Sequence, residues 1–208
     1  MSAMSPRTAA ALRDGDRSLR EHLIATAGAL MAEEGAAKLT VRAIAHRAGV
    51  ADGVLYNHFA DKEELLAHAL RAHVRAVESD LGDLPVPGAG TVEAGLRAHL
   101  EYGLALHRAI LPTFAGLVTQ PAVLTRFAEL ATPGTDWRDR LLSYLHAERD
   151  LGRLAPDAHL DATAALLVGV CHETVLSALV PLTGSPVEPP VDAVVATVLQ
   201  GIGPRADP

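Results

Sequence analysis

Residues 40–62 read TVRAIAHRAGVADGVLYNHFADK. The spacing predicts two short helices, at about 41–48 and 52–58, around a three-residue turn. Thr40 is placed to cap the first helix, and Gly49 breaks it where the turn wants a positive φ. Ala45 is small where the two helices approach. Ile44, Ala48, Val50 and Leu55 are apolar at the positions that close a small core. This is a helix-turn-helix pattern. Its second helix exposes Asp52, Gly53, Tyr56 and Asn57, which suits entry into a major groove. A helical hairpin without a ligand has the same A-x-x-x-G spacing. The rest of the block argues further. Tyr56 and Phe59 bracket His58, and Lys62 stands in the first turn of the next helix. A cation is disfavoured there by the helix dipole, so a phosphate accounts for it better than local stabilisation does.

Working outward, a helix is expected over 18–34, capped by Ser18 with Glu21 three residues on, and stopped by Gly35. Leu23, Ala27, Leu30 and Met31 share one face of it. Residues 1–17 read as a loose, flexible arm. Asp61 and Glu64 form a capping box for a long helix to about 81, with Leu65, Leu66, Ala69, Leu70, Val74 and Val77 as its buried stripe. Residues 82–90 hold Pro85, Pro87, Gly88 and Gly90 and mark the main boundary. Helices are then expected at about 92–110, 121–131, 137–151, 157–180 and 191–202, punctuated by prolines. No strand-like alternation persists, so the fold class is all-α. The domains are expected at 18–82, including the connecting helix, and at 91–208.

Composition narrows the function classes. At 208 residues and 49% hydrophobic, the chain can bury a sizeable core and is not disordered throughout. The single Cys171 excludes an internal disulfide framework and a multi-cysteine zinc site. No secretory leader pattern and no apolar run of about 18 residues is evident, so a cytoplasmic protein is expected. The net charge of −7 argues against a nucleic-acid partner until it is divided. Residues 1–76 carry 10 basic and 9 acidic side chains, a balance of +1. Residues 77–208 carry 8 and 16, a balance of −8. No nucleophile–base pattern and no Gly-rich phosphate loop is present, so neither an enzyme nor a cofactor is expected. Nor do the ten histidines show a specific metal-ligand spacing.

The chain resembles the TetR (tetracycline-repressor) family of transcriptional regulators over roughly residues 18–70. The resemblance rests on Leu39-Thr40-Val41-Arg42-Ala43-Ile44-Ala45, Ala48-Gly49-Val50, Gly53, Leu55-Tyr56-Asn57-His58-Phe59, Lys62 and Leu65. It implies an N-terminal three-helix DNA-binding domain joined by a long helix to a larger helical ligand-binding and dimerisation domain. It also implies a repressor that binds a palindromic operator in double-stranded DNA as a homodimer and is released by a small-molecule effector. Thr40, Tyr56, His58 and Lys62 would then contact phosphates. Arg42, Asp52 and Gly53 would face base edges, Arg42 with bidentate geometry for guanine. Ala51 departs from the Ser or Thr often found there, which removes a cap and one phosphate contact. Asp52 has two readings: it accepts from a cytosine amino group, or it only favours the helix start. Arg7, Arg13, Arg17 and Arg20 either add DNA contacts or belong to a solvated tail.

In the C-terminal part, His99, Tyr102, Leu106 and His107 recur on one side of a helix. With Phe114, Phe127, Trp137, Tyr144, Cys171 and His172 they are the candidate effector-binding residues, each also explicable as ordinary packing. The 157–180 helix is apolar nearly all round, which predicts a core on one side and a partner subunit on another. Val175, Leu179, Val194, Val195, Val198, Leu199 and Ile202 are the expected dimer interface. His172 and Glu173 interrupt that helix and would pair across the dimer, meet an effector or face solvent.

Overall fold

The computed structural model describes residues 6–36, 39–179 and 188–201, with side chains from Ser18 onward. Apart from a 3-10 residue at Ala36, every regular element among the described residues is an α-helix. In order they are α1 (Pro6–Glu34), α2 (Val41–Ala48), α3 (Asp52–Leu55), α4 (Lys62–Leu81), α5 (Val92–Leu117), α6 (Pro121–Glu129), α7 (Trp137–Asp150), α8 (Leu160–Leu179) and α9 (Val191–Gln200).

Four boundaries differ clearly from the expected ones; one is the start of α8, at Leu160 rather than 157. Helix α1 starts at Pro6 rather than near Ser18, running through Gly15 and the charges around it. The part of the expected arm at 1–5 lies outside the described residues, as do the side chains of Arg7, Arg13 and Arg17. Helix α3 stops at Leu55, but the chain keeps turning: the amides of Asn57 and His58 donate to Val54 and Leu55 carbonyls three residues back. Helix α5 continues through Pro112 to Leu117. Proline costs a helix one hydrogen bond, yet Leu117 beyond it is fully buried, and tertiary packing outweighs the local penalty.

The chain forms two compact units. The first comprises 1–76 and 113–130. Its core joins Leu23, Ala27 and Leu30 of α1, Ile44 and Ala45 of α2, and Leu65, Leu66 and Leu70 of α4. Leu117 and Val123 complete that core from the later segment. The second unit comprises 77–112 and 131–208, with Leu96, Leu100, Trp137, Leu141, Leu145, Leu167 and Val195 at its centre. Two glycines let α5 and α7 meet closely there. A Cβ on Gly103 would overlap the Trp137 ring, and one on Gly95 would overlap the Tyr144 hydroxyl.

Helix α8 buries Leu160, Ala164, Leu167 and Cys171 in the second core, and Val175 is buried further along it. Its opposite side stays in solvent, with Leu166 65% and Leu176 52% exposed. By length and hydropathy alone α8 could cross a membrane. It nevertheless carries Asp161, His172 and Glu173, all exposed, and packs one face into the second core.

Candidate nucleic-acid interface and interior polar cluster

The recognition block is built by local hydrogen bonds. Thr40 Oγ1 accepts from the Ala43 amide at 3.1 Å and caps α2, a contact worth about 1 kcal/mol. Gly49 closes α2 at φ 72°, and the Val50 amide donates to the Ala45 carbonyl at 3.0 Å. Leu55 and Phe59 are buried and anchor the second half of the block. Asp61 Oδ1 accepts from the Glu64 amide at 2.8 Å, and Glu64 reaches back to the Ala60 amide at 2.7 Å. These reciprocal bonds fix the start of α4 and with it the position of Lys62.

The expected reading residues lie on the outside of this frame. Arg42, Asp52, Gly53, Tyr56 and Asn57 are exposed, Tyr56 by 59%. His58 and Lys62 are half-buried. Neighbouring Arg47 is committed to Glu33 at 2.6 Å, and that pair raises the arginine pKa and lowers that of the carboxylate. Gly53 is informative by what surrounds it. A Cβ there would meet nothing within 4 Å, and its φ lies outside the left-handed region. The fold therefore does not require glycine at this position, and the space beside it is open. Ala51 is the cap residue of α3 and offers no side-chain bond, which leaves Asp52 as the only acid in the first turn.

The expected effector residues divide between the units. Phe114 and Phe127 lie in the first unit, packed edge to face at 5.1 Å, and do not gather with the others. His99, Tyr102, Leu106, His107, Trp137, Tyr144 and Cys171 are all buried in the second unit. His107 Nδ1 lies 2.6 Å from the Gly103 carbonyl, and its ring meets Trp137 and His172 edge on. Burial lowers the His107 pKa, opposed by the Gly103 bond and aided by His172. His99 stacks at a tilt on Tyr144, with centroids 4.6 Å apart. Burial first, then Arg140, lowers its pKa to about 4. Neither ring nitrogen of His99 has a hydrogen-bond partner. Burial pushes the Cys171 thiol up to about 12, so it is unreactive.

Among the expected interface residues, Val195 is fully buried in the chain's own second core, and Val175 is 5% exposed. Leu179 and Leu199 are exposed, and Val194 and Val198 are half-buried. Ile202 lies outside the described residues.

Residues 23–69 match the family model described as bacterial regulatory proteins, tetR family. The HTH-type transcriptional repressor KstR2 of Mycobacterium tuberculosis is 29% identical over 146 residues, covering 69% of this chain and 73% of that protein. Among solved structures, the TetR family transcription regulator SCO0332 is 26% identical with a TM-score of 0.61, covering 89% of this chain and 99% of that one. FadR from Bacillus subtilis, solved in complex with stearoyl-CoA, shares the fold at 20% identity and a TM-score of 0.57, covering 88% and 99%.

Residues 23–69 are a TetR-family segment, and the chain as a whole is similar to TetR-family regulators. Several structural residues had no place among the expected sites. Arg126 of α6 pairs with Asp61, so the cap of α4 is tied to the later segment of the first unit. Gln120 Nε2 donates to the Ala36 carbonyl at 3.4 Å, and Arg71 lies over the Phe127 ring. In the second unit, Glu148 is fully buried and accepts from the Gly88 amide at 3.0 Å while pairing with Arg153 at 3.1 Å. It pins the 82–90 loop to α7. Arg140 bonds Glu78 at 2.8 Å and the Tyr102 hydroxyl at 3.1 Å. A signal for Arg140 and Glu148 existed: both fall at helical spacing from Tyr144, on the side that carries Trp137 and Leu141.

Proposed function

We propose that two copies of this regulator bind a palindromic operator, repress transcription and are released by a small-molecule effector. The observation that carries the reading is the outer side of the recognition block, where Tyr56 and Arg42 are exposed and Gly53 is open to close approach. Thr40, Tyr56, His58 and Lys62 hold phosphates. Arg42, Asp52, Gly53 and Asn57 meet base edges. The reading and connecting domain is taken as 18–82 and the effector and dimerisation domain as 91–208, with 113–130 of the latter packed into the core of the first unit.

Dimerisation is supported by α8 and α9. Leu166, Val170, Val194 and Val198 line an apolar groove of about 330 Å³, and Leu176, Leu179 and Leu199 of the same two helices are also exposed. A second copy of the same surfaces would cover these groups. Release is supported by chain continuity. Helix α5 carries His99, Tyr102 and His107 in the second unit, and its last turn with α6 belongs to the first. An effector that binds one setting of α5 more tightly shifts the population of reading-competent molecules. The FadR relative was solved with stearoyl-CoA, which supports an organic effector here. We take the protein to be cytoplasmic and without catalytic activity.

The test is selection of genomic fragments by the purified full chain, followed by footprinting. Enrichment of palindromes, with protection that weakens as salt rises, is the expected result. Failure to enrich any fragment would overturn the reading.

A further inference from the structure

The second unit holds a cavity of about 320 Å³ beneath the 82–90 loop. This lies at the lower end of the range for small-molecule pockets, about 300–1,000 Å³. Leu84, Pro85 and Pro87 form its apolar wall. His99, Arg140, Ser143 and Tyr144 form its polar wall. His99 is only 1% exposed, yet neither ring nitrogen is bonded within the protein. The Tyr144 hydroxyl and Arg140 Nε are likewise buried without a bond. Buried polar atoms left unpaired are costly and rare. Four such atoms on residues lining one cavity call for an outside partner.

The charges of the wall set the class of that partner. Burial keeps the His99 ring neutral at physiological pH, so it offers one donor and one acceptor. Burial, and after it the Glu148 carboxylate, pushes the Tyr144 hydroxyl up to about 12, so it keeps its proton. The Arg140 charge is already matched by Glu78 at 2.8 Å. No unmatched positive charge remains to offset the desolvation of an anion.

From this geometry we infer that the cavity binds an uncharged, hydroxyl-bearing ring compound, its hydroxyl bonded to His99 and Tyr144 and its ring against Leu84, Pro85 and Pro87. That this compound is the effector rests on the regulator reading above. Its binding does not, because it can be read on the chain without DNA.

The test is titration of the full chain with 2-naphthol, 2-naphthoate and naphthalene, followed by isotope-edited NMR of the histidine rings and by calorimetry. The expected result is saturable binding of 2-naphthol that moves the His99 ring signals. Naphthoate and naphthalene should bind about tenfold more weakly or worse, the size expected for losing one good hydrogen bond. Tyr144→Phe should weaken 2-naphthol about tenfold without changing naphthalene. Should that variant fail to fold, Ser143→Ala at the exposed rim serves in its place with a smaller loss. Naphthoate binding as tightly as 2-naphthol would overturn the inference, as would His99 signals unmoved by 2-naphthol at its solubility limit. Either failure alongside a protected palindrome would leave the DNA-reading proposal standing. Binding of 2-naphthol with no DNA bound would do the reverse.

Discussion

Lys62 occupies the first position of α4, next to the Asp61 cap and ahead of Glu63 and Glu64. In the proposed reading a phosphate supplies the counter-charge that the helix dipole does not. Lys62→Ala should therefore weaken binding to all duplexes alike and lower the salt slope by about one. An unchanged slope would take Lys62 off the phosphate-contact set. Arg42→Ala should instead relax preference at one base pair per half-site, by about 1–3 kcal/mol. Equal loss on every sequence would move Arg42 to the backbone. His99 has its own consequence. Its folded pKa of about 4 lies below the ordinary 6.5. Between these pH values the unfolded chain binds the extra proton. The stability this group contributes is complete above about pH 6.5 and falls with pH by about 1.4 kcal/mol per unit down to about 4. His99→Leu should flatten thermal melts across that window, and an unchanged slope would contradict the burial of a neutral ring.

At the scale of elements, α2 and α4 were legible because their signals are local: Thr40 and Gly49 bound the one, Asp61 and Glu64 start the other. The start of α1 at Pro6 was not, since Gly15 and its charged neighbours read as breakers. Nor was the grouping of 113–130 with the first unit, which depends on Phe114 meeting Phe127 and on Arg126 meeting Asp61. Those partners are far apart in sequence and carry no periodic cue. Arg126→Ala should cost less than about 1 kcal/mol, since both side chains are partly exposed. Its effect should appear as faster hydrogen exchange in the first turns of α4, and unchanged exchange would show that Arg126 does not hold the cap. Gly103→Ala tests the α5–α7 approach. The added methyl must displace the Trp137 ring, so a loss of about 1–3 kcal/mol or more is expected in denaturant melts. A neutral result would mean that the two helices have room to spare.

At the scale of the molecule, the net charge of −7 belongs to residues 77–208, whose balance is −8. The recognition block works with a balance near +1, so its affinity must come from placed groups and from pairing two blocks. The candidate effector set was legible only in part. Helical spacing on α5 placed His99 and Tyr102 on one side, and both are buried, but a one-dimensional pattern does not show which polar atoms end up without a partner. Val198→Glu in the α8–α9 groove should halve the mass seen by light scattering. An unshifted mass would refute the interface. The most direct test of the whole account is a binding titration of the full chain on a selected palindrome and on a duplex carrying one half-site. Two chains per palindrome, with much weaker binding to the half-site, is the expected result. One chain per duplex at equal affinity on both would contradict paired reading, and no binding to either would contradict the reading of DNA itself.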